Sequence, residues 1–146
     1  MKIYLDVCCL NRPFDDHAKD RVRLESEAVL TIFNRSQTEN WILIGSEAIY
    51  IEISKIPDDD KRQKVSIISR LLQFHIDIDE DTERRAFELE NMGFKSFYAL
   101  HIACAEKGKA DVLLTTDDKL LNSAFQKRDI LKVRVENPVR WLMEVI

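Results

Sequence analysis

The sequence is poor both in residues that interrupt regular structure and in residues that form cross-links. It contains three Gly and three Pro among 146 residues, and this scarcity excludes collagen-like chains and argues against a disordered chain. It also contains three Cys and three His, too few for a disulfide framework or for a zinc site of the usual ligand spacing. We therefore expect Cys8, Cys9 and Cys104 to be reduced and mostly buried.

Long apolar runs are absent as well. The runs ILI before Gly45 and VLL at 112 to 114 are far shorter than the ~20 residues that cross a bilayer. The opening MKIYLDV places an Asp at position 6 and lacks the apolar segment of a signal peptide. The sequence thus predicts that this segment is a strand of the mature fold and that the protein is cytoplasmic.

A large positive charge is also missing. The net charge of −4 argues against the broad basic surface of proteins that hold DNA by counterion release alone. It leaves open a nucleic acid bound partly through metal ions. It also leaves open a local basic patch, for which the candidates are Arg12, Lys19, Arg21 and Arg23.

Apolar residues make up 45% of the chain and charged residues 33%, which is typical of a globular protein, and we expect one domain over residues 1–146. Short β-rich runs alternate with longer helical patterns. The predicted strands are KIYLD, WILIG, FHIDI, DVLLTT and KVRV. The predicted helices are about 17–35, SEAIYIEIS, about 60–73, DTERRAFELENM, KSFYALHIACAEKG, DDKLLNSAFQK and PVRWLMEV. Five strands separated by helices predict a three-layer α/β fold with a parallel sheet. In the first long helix, the spacing of Leu24, Ala28 and Ile32 predicts a buried face.

Carboxylates follow two of these strands at the point where each strand ends. The first strand ends in Asp6, and the strand from Val112 is followed by Asp117 and Asp118. Ligands of open parallel sheets bind at the carboxyl ends of the strands. If the two strands are neighbours, their acids can pair around a divalent cation, which prefers oxygen ligands. Ser46 ends the second strand and can cap a helix that carries Glu52 six residues later.

Each of these acids also has an ordinary structural interpretation. An Asp after a strand often forms a turn or caps a helix, as Asp117 or Asp118 could do here. Glu52 could lie on a solvated helix face. Only the combination of these acids at the same edge of the sheet points to a metal site. Motifs for nucleotide binding, for serine hydrolases of the GxSxG type and for HExxH metalloproteases are absent, and no His lies close in sequence to Cys8 or Cys9 to activate a thiol.

Several segments in chain order resemble PIN-domain proteins of the VapC-like type, and together they cover nearly the whole chain. They are MKIYLDVCCLNRPFDD, SEAIYIEISKIPDDDKRQKV, GFKSFYALHIACAE, ADVLLTTDDKLL and KVRVENPVRWL. The resemblance implies a five-stranded parallel sheet sandwiched between helices, with an acidic cleft that binds Mg²⁺ or Mn²⁺. In active members of this family the cleft hydrolyses phosphodiester bonds of RNA, often as the toxin half of a toxin–antitoxin pair. RNA and an antitoxin protein are therefore the implied partners.

The resemblance also implies which residues form the site. Asp6, Glu52 and Asp117 match the family's acids and are the implied catalytic residues and metal ligands, with Asp118 as a further ligand or water contact. Metal ions in such a cleft polarise the scissile phosphate and lower the pKa of a bound water. The residues expected to line the cleft are Ser46, Tyr98, Asn11 and Thr116.

Two departures from the family pattern bear on activity. Tyr98 precedes Ala-Leu-His where relatives carry an acid, and a phenol with a pKa near ~10 brings a hydrogen-bond donor but no charge at neutral pH. The lost charge should weaken metal binding and could leave a single ion. Val7 follows Asp6 where many relatives have a hydroxyl that can orient this acid. His101 is interpreted as a packed core or rim histidine rather than a catalytic base.

Three functions stay open at this point. The first is a weakened or single-metal endoribonuclease, and the second is a catalytically silent module that binds an antitoxin or another partner. The third is a domain that binds or transfers phosphate esters, because a fold alone does not fix a function. Relatives commonly pair, so a homodimer is expected, with Trp141 or Ile44 as candidate exposed apolar residues.

Overall fold

Five parallel strands form the centre of the protein, which a computed structural model describes over residues 1–146. The strands are β1 (Lys2–Leu5), β2 (Ile42–Ser46), β3 (Phe74–Ile76), β4 (Val112–Leu114) and β5 (Arg134–Glu136). Their order in the sheet is β3-β2-β1-β4-β5, and each neighbouring pair is parallel. The predicted α/β fold with a five-stranded parallel sheet is confirmed.

Eight α-helices surround the sheet. They are α1 (Val7–Asn11), α2 (Asp20–Thr38), α3 (Glu47–Ser54), α4 (Asp59–Ser69), α5 (Glu80–Asn91), α6 (Ser96–Lys107), α7 (Asp118–Gln126) and α8 (Pro138–Val145). Two 3₁₀ turns lie at Arg12–Phe14 and Arg128–Ile130. The short helix α1 was not among the predicted elements, because five residues are too few to display a helical period. None of the helices combines the length and the apolar character needed to cross a bilayer.

The central strand β1 has no exposed face. Ile3, Tyr4 and Leu5 are all fully buried, and because successive strand residues point to opposite sides of a sheet, helices must cover both sides. The strand β4 beside it is buried throughout in the same way. Residues that follow β1 and β4 are therefore positioned by two fully buried strands.

Three expectations about burial are wrong. Trp141 and Ile44 are only 3% and 1% exposed, so neither can serve as an exposed dimer contact. The ring of Trp141 packs edge-on against that of Trp41, with 5.3 Å between the ring centroids. Leu24 is 50% exposed, because α2 turns its neighbour Glu25 inward instead. The carboxylate of Glu25 accepts hydrogen bonds from three polar side chains, those of Arg12, Arg21 and Asn137.

Candidate metal centre at the carboxyl edge of the sheet

Asp6 lies at the carboxyl edge of the sheet, between the ends of two strands. In the register of β1 and β4, Leu5 lies opposite Leu114, and the backbone N–H of Asp6 donates to the carbonyl oxygen of Leu114 at 3.0 Å. Asp6 has extended backbone dihedrals and directly precedes α1. Its side chain is therefore fixed at the point where the predicted site should form.

Three side chains from distant parts of the chain converge at this point. One ligand atom each of Asp6, Glu52 and His101 lies within 4.8 Å of the other two. Nε2 of His101 is 2.9 Å from Oε1 of Glu52 and 3.9 Å from Oδ1 of Asp6. Asp6 and His101 are buried, whereas the Glu52 side chain is 32% exposed. The cluster is thus open to solvent on the side of Glu52.

Thr115 holds the carboxylate of Asp6 in place. Its buried hydroxyl donates to Oδ2 of Asp6 at 3.0 Å and accepts a hydrogen bond from the backbone N–H of Asp117 at 3.1 Å. Val7 is buried at the start of α1, so the orienting hydroxyl that this position lacks comes from the end of β4 instead. Thr115 was not among the predicted site residues. The one signal for it in the sequence was its position at the end of a strand, next to the predicted acids.

A buried chain of hydrogen bonds extends from His101 into the core. The hydroxyl of Tyr4 is 2.7 Å from Nδ1 of His101 and 2.7 Å from Oγ of Ser46. The same Ser46 oxygen accepts the backbone N–H of Ile49 at 3.2 Å and so caps α3. Ser46 has no exposed surface, so it lies beneath the site rather than in the lining of a cleft.

Asp117 is paired with Tyr98 and lies outside the group of three. Its Oδ1 accepts the backbone N–H of Lys119 at 2.9 Å, which caps α7. Its Oδ2 accepts the Tyr98 hydroxyl at 2.5 Å. Burial, followed by the hydrogen bond to Asp117, raises the pKa of Tyr98 above its ordinary value, so the phenol stays a neutral donor.

Asp118 is engaged by an arginine. The guanidinium of Arg21 makes two hydrogen bonds of 2.8 Å to its carboxylate and a third, of 3.1 Å, to the carbonyl oxygen of Thr116. The hydrogen bond from Arg21 lowers the pKa of Asp118.

Of the other predicted lining residues, Thr116 is buried and donates its N–H to Sγ of Cys8 at 3.3 Å. The side chain of Asn11 is part-buried, and its Oδ1 has no hydrogen-bond partner.

The predicted basic patch is largely neutralised by ion pairs. Arg12 forms ion pairs with Asp15 and Glu25. Arg21 forms ion pairs with Glu25 and Asp118. Arg23 pairs with Asp20 at 3.0 Å. Arg12 and Arg21 therefore tie neighbouring segments together, whereas Arg23 pairs only within α2. All three present less free positive charge than their number suggests.

The electrostatics of the cluster favour a cation. Burial raises the pKa of Asp6, an effect that the nearby His101 partly offsets. For His101, burial acts to lower the pKa, but the charges of Asp6 and Glu52 outweigh it and the net shift is upward. Two carboxylates that draw a proton onto a buried imidazole would also attract a metal ion. Carboxylate oxygens and an imidazole nitrogen form a donor set that fits a divalent cation.

Two solved structures share this fold. One chain belongs to the crystal structure of VapBC2 from Rickettsia felis bound to a DNA fragment from their promoter; it has a TM-score of 0.66 and 19% identity, over 94% of this chain and 98% of that chain. The other belongs to the structure of VapBC-1 from nontypeable Haemophilus influenzae. It has a TM-score of 0.60 and 12% identity, again over 94% of this chain and 98% of that chain.

No protein-family model and no curated protein matches the sequence. The likeness in structure nevertheless extends over nearly the whole of both chains. The predicted PIN-like, VapC-like resemblance is thereby confirmed at the level of the fold.

Proposed function

We propose that the protein is a divalent-metal-dependent endoribonuclease that hydrolyses RNA phosphodiester bonds, with residues 1–146 acting as one PIN-like domain. The observation that carries this proposal is the convergence of Asp6, Glu52 and His101 within 4.8 Å. This convergence occurs at the edge of the sheet where ligands of parallel α/β folds bind. The shared fold with chains of two VapBC complexes adds support.

In this proposal Asp6 and Glu52 hold the ion and Asp117 is the third acid. Mg²⁺ or Mn²⁺, when bound, would stabilise charge on the scissile phosphate and lower the pKa of the attacking water. Thr115 keeps Asp6 oriented from the core side. The open side of the cluster, beside the part-exposed Glu52, is where a phosphate would enter.

Asp117 is the least available of the three proposed metal ligands. Both of its oxygens already accept hydrogen bonds, one from Lys119 and one from Tyr98. Each oxygen keeps a second lone pair that could bind an ion, but the two hydrogen bonds reduce the negative charge that Asp117 offers to it. We therefore propose that activity is low and that the site holds a single, weakly bound ion.

The pairing of Tyr98 with Asp117 also favours a second candidate, a catalytically silent PIN-fold module that binds an antitoxin or another protein. The chains with the same fold come from VapBC complexes, so an antitoxin is the partner that we propose in either case. A homodimer is also part of the proposal and requires a surface other than Trp141 and Ile44.

An RNA cleavage assay with Mg²⁺ or Mn²⁺ tests the two candidates. The protein is compared with Tyr98→Asp and with Asp6→Asn, which removes a proposed ligand charge with little change in shape. Metal-dependent cleavage by the natural protein that disappears in Asp6→Asn supports the nuclease. Cleavage only by Tyr98→Asp supports the silent module, whereas no cleavage by either protein contradicts the nuclease proposal.

A further inference from the structure

We propose that His101 is itself a ligand of this centre, so that Asp6, Glu52 and His101 form a mixed oxygen and nitrogen site that selects Mn²⁺, Co²⁺ or Zn²⁺ over Mg²⁺. The inference rests on the proposed function for the location of the site and goes further by naming the class of metal. It also gives Tyr4 and Ser46 a role in metal binding.

The placement of Nε2 carries the argument. This nitrogen faces both acids, 2.9 Å from Oε1 of Glu52 and 3.9 Å from Oδ1 of Asp6. Imidazole nitrogen suits first-row transition metals, whereas Mg²⁺ requires oxygen ligands in near-octahedral geometry and gives up its waters reluctantly. A site in which one of three protein donors is nitrogen therefore favours the transition metals.

The oxygen Oδ1 of Asp6 argues against a histidine that is merely packed. Thr115 satisfies Oδ2 of the same carboxylate, but Oδ1 is too far from His101 for a hydrogen bond. Asp6 is only 5% exposed, and when His101 is neutral this buried carboxylate has no counter-charge beside it, which is costly. A dication bound by Oδ1, Nε2 and Glu52 would remove that cost.

The hydrogen bonds behind His101 can support either state of the ring. In the neutral, metal-free ring, Nε2–H donates to Glu52, so Nδ1 accepts the Tyr4 hydroxyl, and Ser46 donates to Tyr4. If Nε2 binds a metal, the ring proton must be on Nδ1, where it is donated to the Tyr4 oxygen. Tyr4 then donates to Ser46, whose second lone pair accepts the N–H of Ile49. Metal-bound histidines generally have such a partner for the other nitrogen.

The test uses the whole protein after removal of metal with a chelator. Mn²⁺ and Mg²⁺ are titrated calorimetrically, and bound Mn²⁺ is studied by electron spin echo spectroscopy, which detects a coordinated nitrogen directly. We expect Mn²⁺ to bind at least about 10-fold more tightly than Mg²⁺ and to show nitrogen modulation. Equal affinities, or bound Mn²⁺ without nitrogen modulation, would overturn the proposal.

Three variants sharpen the test. His101→Gln should abolish the nitrogen modulation and the preference for Mn²⁺. Tyr4→Phe should weaken Mn²⁺ binding by about 10-fold or more, because Nδ1–H loses its acceptor. His75→Gln removes an exposed histidine from the edge strand β3 and should change neither property. If His101→Gln does not fold, the nitrogen signal of the natural protein decides the matter.

The outcomes separate this inference from the proposed function. A Mn²⁺ site with a nitrogen ligand but no RNA cleavage with any metal would contradict the nuclease and leave the site assignment standing. RNA cleavage by a protein with equal affinities for Mg²⁺ and Mn²⁺ would support the nuclease and contradict the assignment of His101 as a ligand. A protein that binds neither ion would contradict both.

Discussion

The Tyr98 hydroxyl lies 2.5 Å from Oδ2 of Asp117 and so holds an acid that the family resemblance assigns to the metal site. A carboxylate at position 98 would have repelled Asp117 and attracted a cation to the gap between them. The phenol instead satisfies Asp117 with a neutral hydrogen bond. Tyr98 therefore gives Asp117 a neutral partner, while Asp6 and Glu52 converge on His101.

Replacing Tyr98 with Asp should recruit a metal ion to Asp117. We expect the melting temperature of Tyr98→Asp to fall in chelator, since two carboxylates then face each other, and to rise above that of the natural protein when Mn²⁺ is present. Calorimetric titration should show Mn²⁺ binding strengthened by about 10-fold or more, as expected for an added charged oxygen ligand. Tyr98→Asn has the same shape without the charge, and equal strengthening in that variant would contradict the explanation.

The strand-end acids were predictable, whereas their support was not. Asp6 and Asp117 were found because a carboxylate after an apolar run marks the carboxyl edge of a parallel sheet. Tyr4 looks like one more strand residue, and its partners lie 42 and 97 residues away in the sequence, so only the folded chain reveals its role. The exposed Leu24 shows a related limit, because a four-residue apolar spacing does not reveal that the next residue, Glu25, is held inside by two arginines and an asparagine.

Thr115→Val should destabilise the protein although the two side chains have nearly the same shape. The change removes the donor to Asp6 and leaves the backbone N–H of Asp117 without its acceptor. Leaving such a buried group unpaired costs about 1–3 kcal/mol of unfolding free energy. Urea denaturation measures the loss, and Thr115→Ser, which keeps the hydroxyl, should retain most of the stability. A fully stable Thr115→Val would show that Asp6 needs no hydroxyl support.

Without metal, the stability of the protein should fall as the pH rises through the pKa of His101. Burial acts against protonation, but Asp6 and Glu52 raise this pKa in the folded state, so below the unfolded value of about 6.5 the folded state gains the full stabilisation from the charged ring. That gain is lost as the pH rises through the folded pKa. Urea denaturation at about pH 6 and about pH 9 should show this loss in the natural protein and a smaller one in His101→Gln. An unchanged pH dependence in the variant would assign the loss to other groups.

Glu25 should contribute more to stability than any surface ion pair. Its side chain is 2% exposed and accepts hydrogen bonds from Arg12, Arg21 and Asn137. Through Arg21, which also binds Thr116 and Asp118, it connects α2 to the loop that carries Asp117. Removing one member of a buried charged network leaves the others without their partner and costs about 3–5 kcal/mol.

We therefore expect Glu25→Ala to lower the unfolding free energy by an amount near that range and also to weaken Mn²⁺ binding, because the loop after β4 loses its anchor. The matched control is Asp20→Ala, which removes an exposed partner of Arg23 on the same helix and should cost well under 1 kcal/mol. Urea denaturation and calorimetric Mn²⁺ titration measure the two effects. Equal losses in the two variants would show that the buried network is no stronger than a solvated pair.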